Sequence, residues 1–243
     1  DYLKSNPGIK VVGFVHAETS TGALTDAKAV AAVAQAHGAL TIVDTVTSLA
    51  GVPVCVDDWG LDAVYSGSQK CLSCPPGLSP LTFSDRALAK LDQRKTPVQS
   101  WFLDLTLQKT YWGTGKRAYH HTAPVNSLYG LHESLRLVLE EGLEAVFSRH
   151  RSVHEALVDK LSPLGITFAV EKTHRLPQLN AAKIPDGVDE AAIRSRLLNE
   201  FGIEIGAGLG DLAGKVWRIG LMGHSARTEN VLRLSAALES ILK

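Results

Sequence analysis

The chain has 243 residues, 45% of them hydrophobic and 21% charged, which suffices for a globular core and excludes the disordered and fibrous classes. Lys plus Arg equals Asp plus Glu at 25 each, so there is no basic field to recruit nucleic acid or an anionic membrane, and a small-molecule partner is favoured. Three cysteines, Cys55, Cys71 and Cys74, do not make a secreted disulfide framework. No apolar run reaches the length of a membrane span and no signal pattern opens the chain, so a reducing, cytoplasmic compartment is expected.

In chain order, residues 9–15 read as a buried strand in an almost continuous apolar, β-branched run. A helix follows over 26–37 and is stopped by Gly38. Residues 40–43 form the next strand, closed by Asp44. Residues 63–65 form another, running into Ser66-Gly67-Ser68-Gln69-Lys70, and 81–83 a fourth beyond a Pro75-Pro76-Gly77 turn. Strands alternating with helical patterns imply a parallel or mixed sheet flanked by helices. Thr19, Asp44 and Lys70 then all follow strands, at the carboxyl edge where open α/β sheets bind ligands.

From Pro124 the spacing of Leu128, Leu131, Leu135, Val138 and Leu139 predicts one long helix, continuing through Leu143, Val146 and Phe147 toward Leu157 and linking two domains. Shorter pieces come next: strands over 166–170 and 178–184, a helix over 189–201 ended by Gly202, a strand over 216–221, and a last amphipathic helix marked by Val231, Leu234, Leu238 and Ile241. The division expected is 1–141 as part of a large α/β domain and 142–243 as a small α+β domain.

The chemistry lies in Lys70 and Asp44. Lysine alone offers an amine that can condense with an aldehyde and later act as a base beside the substrate carbon. A carboxylate that keeps a pyridine nitrogen protonated makes the ring an electron sink. These are the two protein groups that pyridoxal phosphate chemistry most needs. Arg218 lies in a strand among Val216, Trp217, Ile219 and Leu221, where a charge needs an anionic partner, and a substrate carboxylate fits its planar fork.

The segments His16-Ala17-Glu18-Thr19-Ser20-Thr21-Gly22, Ile42-Val43-Asp44-Thr45-Val46-Thr47-Ser48-Leu49, Ser66-Gly67-Ser68-Gln69-Lys70, Tyr119-His120-His121-Thr122 and Arg218-Ile219-Gly220 resemble, in order, the signatures of the alanine–glyoxylate and serine–pyruvate aminotransferases, in the class V branch of fold-type I pyridoxal phosphate enzymes. The resemblance covers nearly the whole chain. It implies an α/β large domain with a mainly parallel sheet and a smaller C-terminal α+β domain. It further implies Lys70 as the Schiff-base lysine, Asp44 on the pyridine nitrogen, Gln69 on the phosphate, Thr19 near the phenolic oxygen, where relatives often have Ser, and Val46 against the ring. Tyr119 and Thr122 would reach the phosphate of the neighbouring subunit in a homodimer, and Arg218 would take the substrate carboxylate. The implied reaction is ping-pong transfer of an amino group from L-alanine or L-serine to glyoxylate or pyruvate. A 2-aminoethylphosphonate aminotransferase shares these settings. A non-catalytic fragment or dimerisation scaffold is the reading from another class, because the phosphate loop and stacking aromatic of similar enzymes are not in this sequence.

The chain opens at Asp1 and its only methionine is Met222, so a native start elsewhere is expected, with those missing residues preceding it. Ile241-Leu242-Lys243 is not a peroxisomal tripeptide; in a eukaryote a peroxisomal or mitochondrial location stays open. Four patterns are read as decoys. Cys71-Leu72-Ser73-Cys74 lacks a second pair for zinc. Adjacent His120 and His121 on an extended chain point to opposite faces. Gly208-Leu209-Gly210-Asp211-Leu212-Ala213 is followed too soon by a strand for a dinucleotide-binding unit and reads as a loop near the substrate entrance. His150 and His154, four apart, lack the Glu of a zinc helix and are expected on a solvated face.

Overall fold

The computed structural model describes residues 1–112, 115 and 118–243. The elements in order are α1 Tyr2–Ser5, β1 Val11–Val15, β2 Ala17–Glu18, β3 Ala23–Leu24, α2 Ala27–Ala36, β4 Leu40–Asp44, β5 Ala63–Tyr65, β6 Leu81–Phe83, α3 Asp85–Asp92 and α4 Leu105–Trp112. They continue with α5 Val125–Glu141, α6 Leu143–Leu161, β7 Leu179–Lys183, α7 Glu190–Phe201, β8 Gly206–Ala207, β9 Val216–Gly220 and α8 Thr228–Leu242.

The first sheet has the order β1-β4-β5-β6, with β1, β4 and β5 parallel and β6 antiparallel at the edge. The pairing sets Val15 opposite Asp44 and Asp44 opposite Tyr65, so three strands end together at one edge. Alternation along each strand separates the two faces. Val43 and Val64 point into a core with Ala31 of α2 and Leu61, backed by Phe14, Val56 and Trp59. The other face carries Val11, Ile42, Tyr65 and Leu81, all exposed. Asp44, two residues beyond Ile42, shares that open face.

The second sheet, β7-β9-β8, is antiparallel throughout. Its core gathers Leu157 and Leu161 of α6, Leu197 of α7, Leu234 and Leu238 of α8, and Trp217 of β9. The two sheets are stitched together at the β2–β3 hairpin: Leu176 N–H donates to the Gly22 carbonyl at 2.9 Å, and Ala23 bridges to Arg175.

Four expectations change here. The single helix from Pro124 is two, α5 and α6, broken at Gly142, whose φ of 87° an L side chain rarely adopts. The strand expected over 166–170 is reduced to one bridge, Phe168 to Ala182, because only that position finds a partner. His150 is fully buried: its Nδ1 donates to the Val146 carbonyl at 2.8 Å and its Nε2 accepts the Gly223 N–H at 2.9 Å. His154 is half-buried and bonds Asn180. Helix α6 is covered on the side that a solvated face would need. Finally, His120 and His121 turn toward each other, with their Nδ1 atoms 2.7 Å apart. Stacking of His120 on Trp101 at 4.1 Å, and its Nε2–H on the Trp101 carbonyl, override the alternation of an extended chain.

Candidate active site

The loop after β5 is closed by hydrogen bonds inside a few residues. Ser68 N–H donates to the Leu78 carbonyl and Ser68 Oγ to the Pro75 carbonyl at 2.7 Å. Ser73 N–H donates to the Lys70 carbonyl at 2.9 Å, and Cys74 N–H to the Ser68 carbonyl at 3.0 Å. Small residues permit the tight path. A Cβ on Gly67 would lie 2.6 Å from Gln69 Oε1 and 3.3 Å from Val46 Cγ1, so glycine lets Val46 and Gln69 close around it. Lys70, at the head of this turn, is half-buried, and among the described residues its Nζ has no hydrogen-bond or ion-pair partner.

Asp44 closes the adjacent strand. Its Oδ1 accepts the Val46 N–H at 2.8 Å, and its Oδ2 accepts the Tyr65 hydroxyl at 2.8 Å. Thr45 and Ser66 lock the strand ends side by side, Thr45 Oγ1 donating to the Tyr65 carbonyl at 2.8 Å and Ser66 Oγ to the Thr45 carbonyl at 3.0 Å.

Thr19 follows β2, and its carbonyl accepts Arg218 Nη1 at 3.2 Å; Arg218 Nε donates to the Ala207 carbonyl at 2.7 Å. The half-buried guanidinium thus meets two carbonyl oxygens and, among the described residues, no carboxylate. Its charge remains uncompensated and most of its donors are free for an anion. Thr19, Asp44, Val46, Gln69, Lys70 and Arg218 therefore lie on connected strand ends and turns. Tyr119 and Thr122 do not join them through any described contact. Both are exposed, and their hydroxyls are 2.6 Å apart.

Cys71 has a different role. Burial pushes its thiol up to about 12, and its Sγ faces the Thr47 carbonyl at 3.5 Å, so it stays protonated and packs as a small apolar residue. All three cysteines are free, and among the described residues no group of three potential ligands could hold a metal ion. No described helix is long and apolar enough to cross a membrane.

Sequence reasoning missed Tyr65, whose side chain reaches Asp44 across the sheet. The available signal was that both residues close parallel strands, where equal registers put side chains on one face.

A lysine amine and a carboxylate gathered at one edge of a mainly parallel sheet, with the Arg218 guanidinium presented from the second sheet, accord with the fold-type I aminotransferase architecture. The chain belongs to the class-V aminotransferase family, a pyridoxal phosphate-dependent family whose model matches residues 3–238. It is 40% identical over 251 residues to the (S)-ureidoglycine–glyoxylate transaminase of Bacillus subtilis (strain 168), covering 96% of this chain and 60% of that protein. To the alanine–glyoxylate aminotransferase of Oryctolagus cuniculus it is 43% identical over 231 residues, covering 94% and 59%. The crystal structure of alanine–glyoxylate aminotransferase from Nostoc sp. superposes with a TM-score of 0.95 at 50% identity, over 100% of this chain and 64% of that one. The chain spans about 60% of the length of the curated relatives it matches.

Proposed function

We propose that this protein is a pyridoxal phosphate-dependent aminotransferase that passes an amino group from a small amino acid, L-alanine or L-serine, to glyoxylate. The reading is carried by Asp44 at the end of β4 and Lys70 in the turn that follows the neighbouring parallel strand β5, one with a carboxylate held by two donors and the other with an unpaired amine among the described residues. The donor set fits the cofactor: an amine for its aldehyde, a carboxylate for its ring nitrogen, an apolar Val46 for its ring and an exposed Gln69 for its phosphate. When bound, pyridoxal phosphate supplies the electron sink that stabilises negative charge on the substrate α-carbon.

Each residue then has a separate task. Lys70 Nζ would hold the cofactor through its aldehyde, and the freed amine would carry the proton from the substrate α-carbon to the carbon that bore the aldehyde. Asp44 keeps the ring nitrogen protonated, and the Thr19 hydroxyl bonds the phenolic oxygen. Arg218 pairs with the substrate carboxylate and fixes the α-carbon beside Lys70. Tyr119 and Thr122 bond the cofactor phosphate of a second subunit, so the working unit is a homodimer with composite sites. Three free cysteines support a reducing, cytoplasmic compartment.

The test is the visible spectrum of the purified protein with pyridoxal phosphate, before and after L-alanine, L-serine or (S)-ureidoglycine, and then glyoxylate. Bleaching by one amine donor and recovery with glyoxylate identify both half-reactions. The Lys70→Ala variant is expected to lose the covalently held visible band and at least about 100-fold in turnover. Full turnover in that variant would sink the reading.

A further inference from the structure

Of the two donors on Asp44, the Val46 N–H is a local turn contact and would leave the carboxylate free to swing about Oδ1. The Tyr65 hydroxyl, 2.8 Å from Oδ2, takes the other oxygen and so fixes the plane of the group. This contact follows from register, because Asp44 stands opposite Tyr65 on parallel strands and both side chains leave the sheet on its open face. Burial does not explain an aromatic side chain here, since Tyr65 is 38% exposed. Among the described residues Asp44 is the only hydrogen-bond partner of its hydroxyl.

We infer that Tyr65 is a positioning residue for the cofactor ring: it orients the Asp44 carboxylate toward the pyridine nitrogen. The inference rests on the role of Asp44 proposed above. The hydroxyl stays protonated across the working range. Its donated bond to Asp44, then burial, then the charge of Asp44 all hold its pKa above the ordinary tyrosine value. Tyr65 is therefore a permanent donor and leaves Oδ2 a lone pair for the ring N–H.

The experiment compares equilibrium affinities of the purified apoprotein for pyridoxal phosphate and for the analogue in which the ring nitrogen is replaced by C–H. Wild type, Tyr65→Phe, Asp44→Asn and the double variant are titrated with both. Tyr65→Phe keeps the ring and removes only the oxygen. Wild type is expected to prefer pyridoxal phosphate, and Tyr65→Phe to reduce that preference about tenfold, the size of a lost hydrogen bond to a charged group. The analogue's affinity should stay level, and Tyr65→Phe should have no further effect on the preference in the Asp44→Asn background. If wild type discriminates and Tyr65→Phe discriminates equally or more strongly, the positioning role is wrong, even if both affinities fall together as a structural role would require. If wild type fails to discriminate at all, the reading of Asp44 falls, and this inference with it.

Discussion

A guanidinium inside a strand has to be explained by what it faces. Arg218 donates to the carbonyls of Ala207 and Thr19, which orient it without neutralising it. A compact ammonium cannot reproduce that fork. Arg218→Lys is therefore expected to raise KM for the amino acid by about tenfold or more, the size of a lost charge-assisted bond, with a smaller change in kcat. Steady-state kinetics on the variant and the wild type check this, and an unchanged KM would assign Arg218 to structure. The residue was legible because a charge among Val216, Trp217 and Ile219 stands out in the sequence. Tyr65 was not singled out, since its signal lay only in the pairing of two strand ends far apart in the chain and not in any residue near it. His150 failed for the same reason: its cover comes from Gly223, far along the chain.

At the scale of elements, the strands β4 and β5 and the helix α3 are tied by one buried side chain. Asp62, 1% exposed, accepts the Thr41 N–H at 2.9 Å through Oδ2 and the Ser84 hydroxyl at 2.8 Å through Oδ1, with Arg86 Nη1 3.7 Å away. Ser84 in turn caps α3, accepting the Ala87 N–H. Asp62→Ala leaves these donors unpaired and is expected to cost about 3 kcal/mol. Urea unfolding measures it, and a loss under about 1 kcal/mol would show that the carboxylate is not the tie. Elements with local signals were readable, including α2 capped by Asp26 and α7 capped by Asp189. The hairpin β2–β3 and the helices α3 and α4 were not, because two to eight residues carry too little periodicity and their positions depend on tertiary partners.

For the whole molecule, buried histidines set the response to mild acid. Burial brings His16 down to about 4, with the charge of Asp26 opposing, and burial also lowers His150 and His154. As the pH falls through the ordinary histidine value of about 6.5, the unfolded chain takes up protons that the folded one refuses, so stability is present above that value and is lost toward about 4. From His16 alone the loss between about pH 7.5 and about pH 5 is roughly 2 kcal/mol, with the other two adding to it. Urea unfolding at the two pH values reads it, most carboxylates remaining ionised in this window. A flat profile would mean that these rings are accessible to protons in the fold.

The assembly of the site makes a separate demand on the whole molecule. Tyr119 and Thr122 were readable as a motif but not as a contact, because in the folded chain they are exposed and bond one another rather than any residue around Lys70. If they serve a second subunit, defects in Lys70 and in Tyr119 fall in different sites of a mixed dimer. One site then combines the two damaged groups, while the other combines intact Lys70 with intact Tyr119. Lys70→Ala and Tyr119→Ala homodimers, each weak alone, should regain activity when unfolded together and refolded as a mixture. With random pairing half the dimers are mixed and each holds one intact site, so recovery should approach about a quarter of wild type. A mixture no more active than the mean of its two parents would place Tyr119 and Lys70 in the same subunit's site, and the exposed hydroxyl pair would then need another explanation.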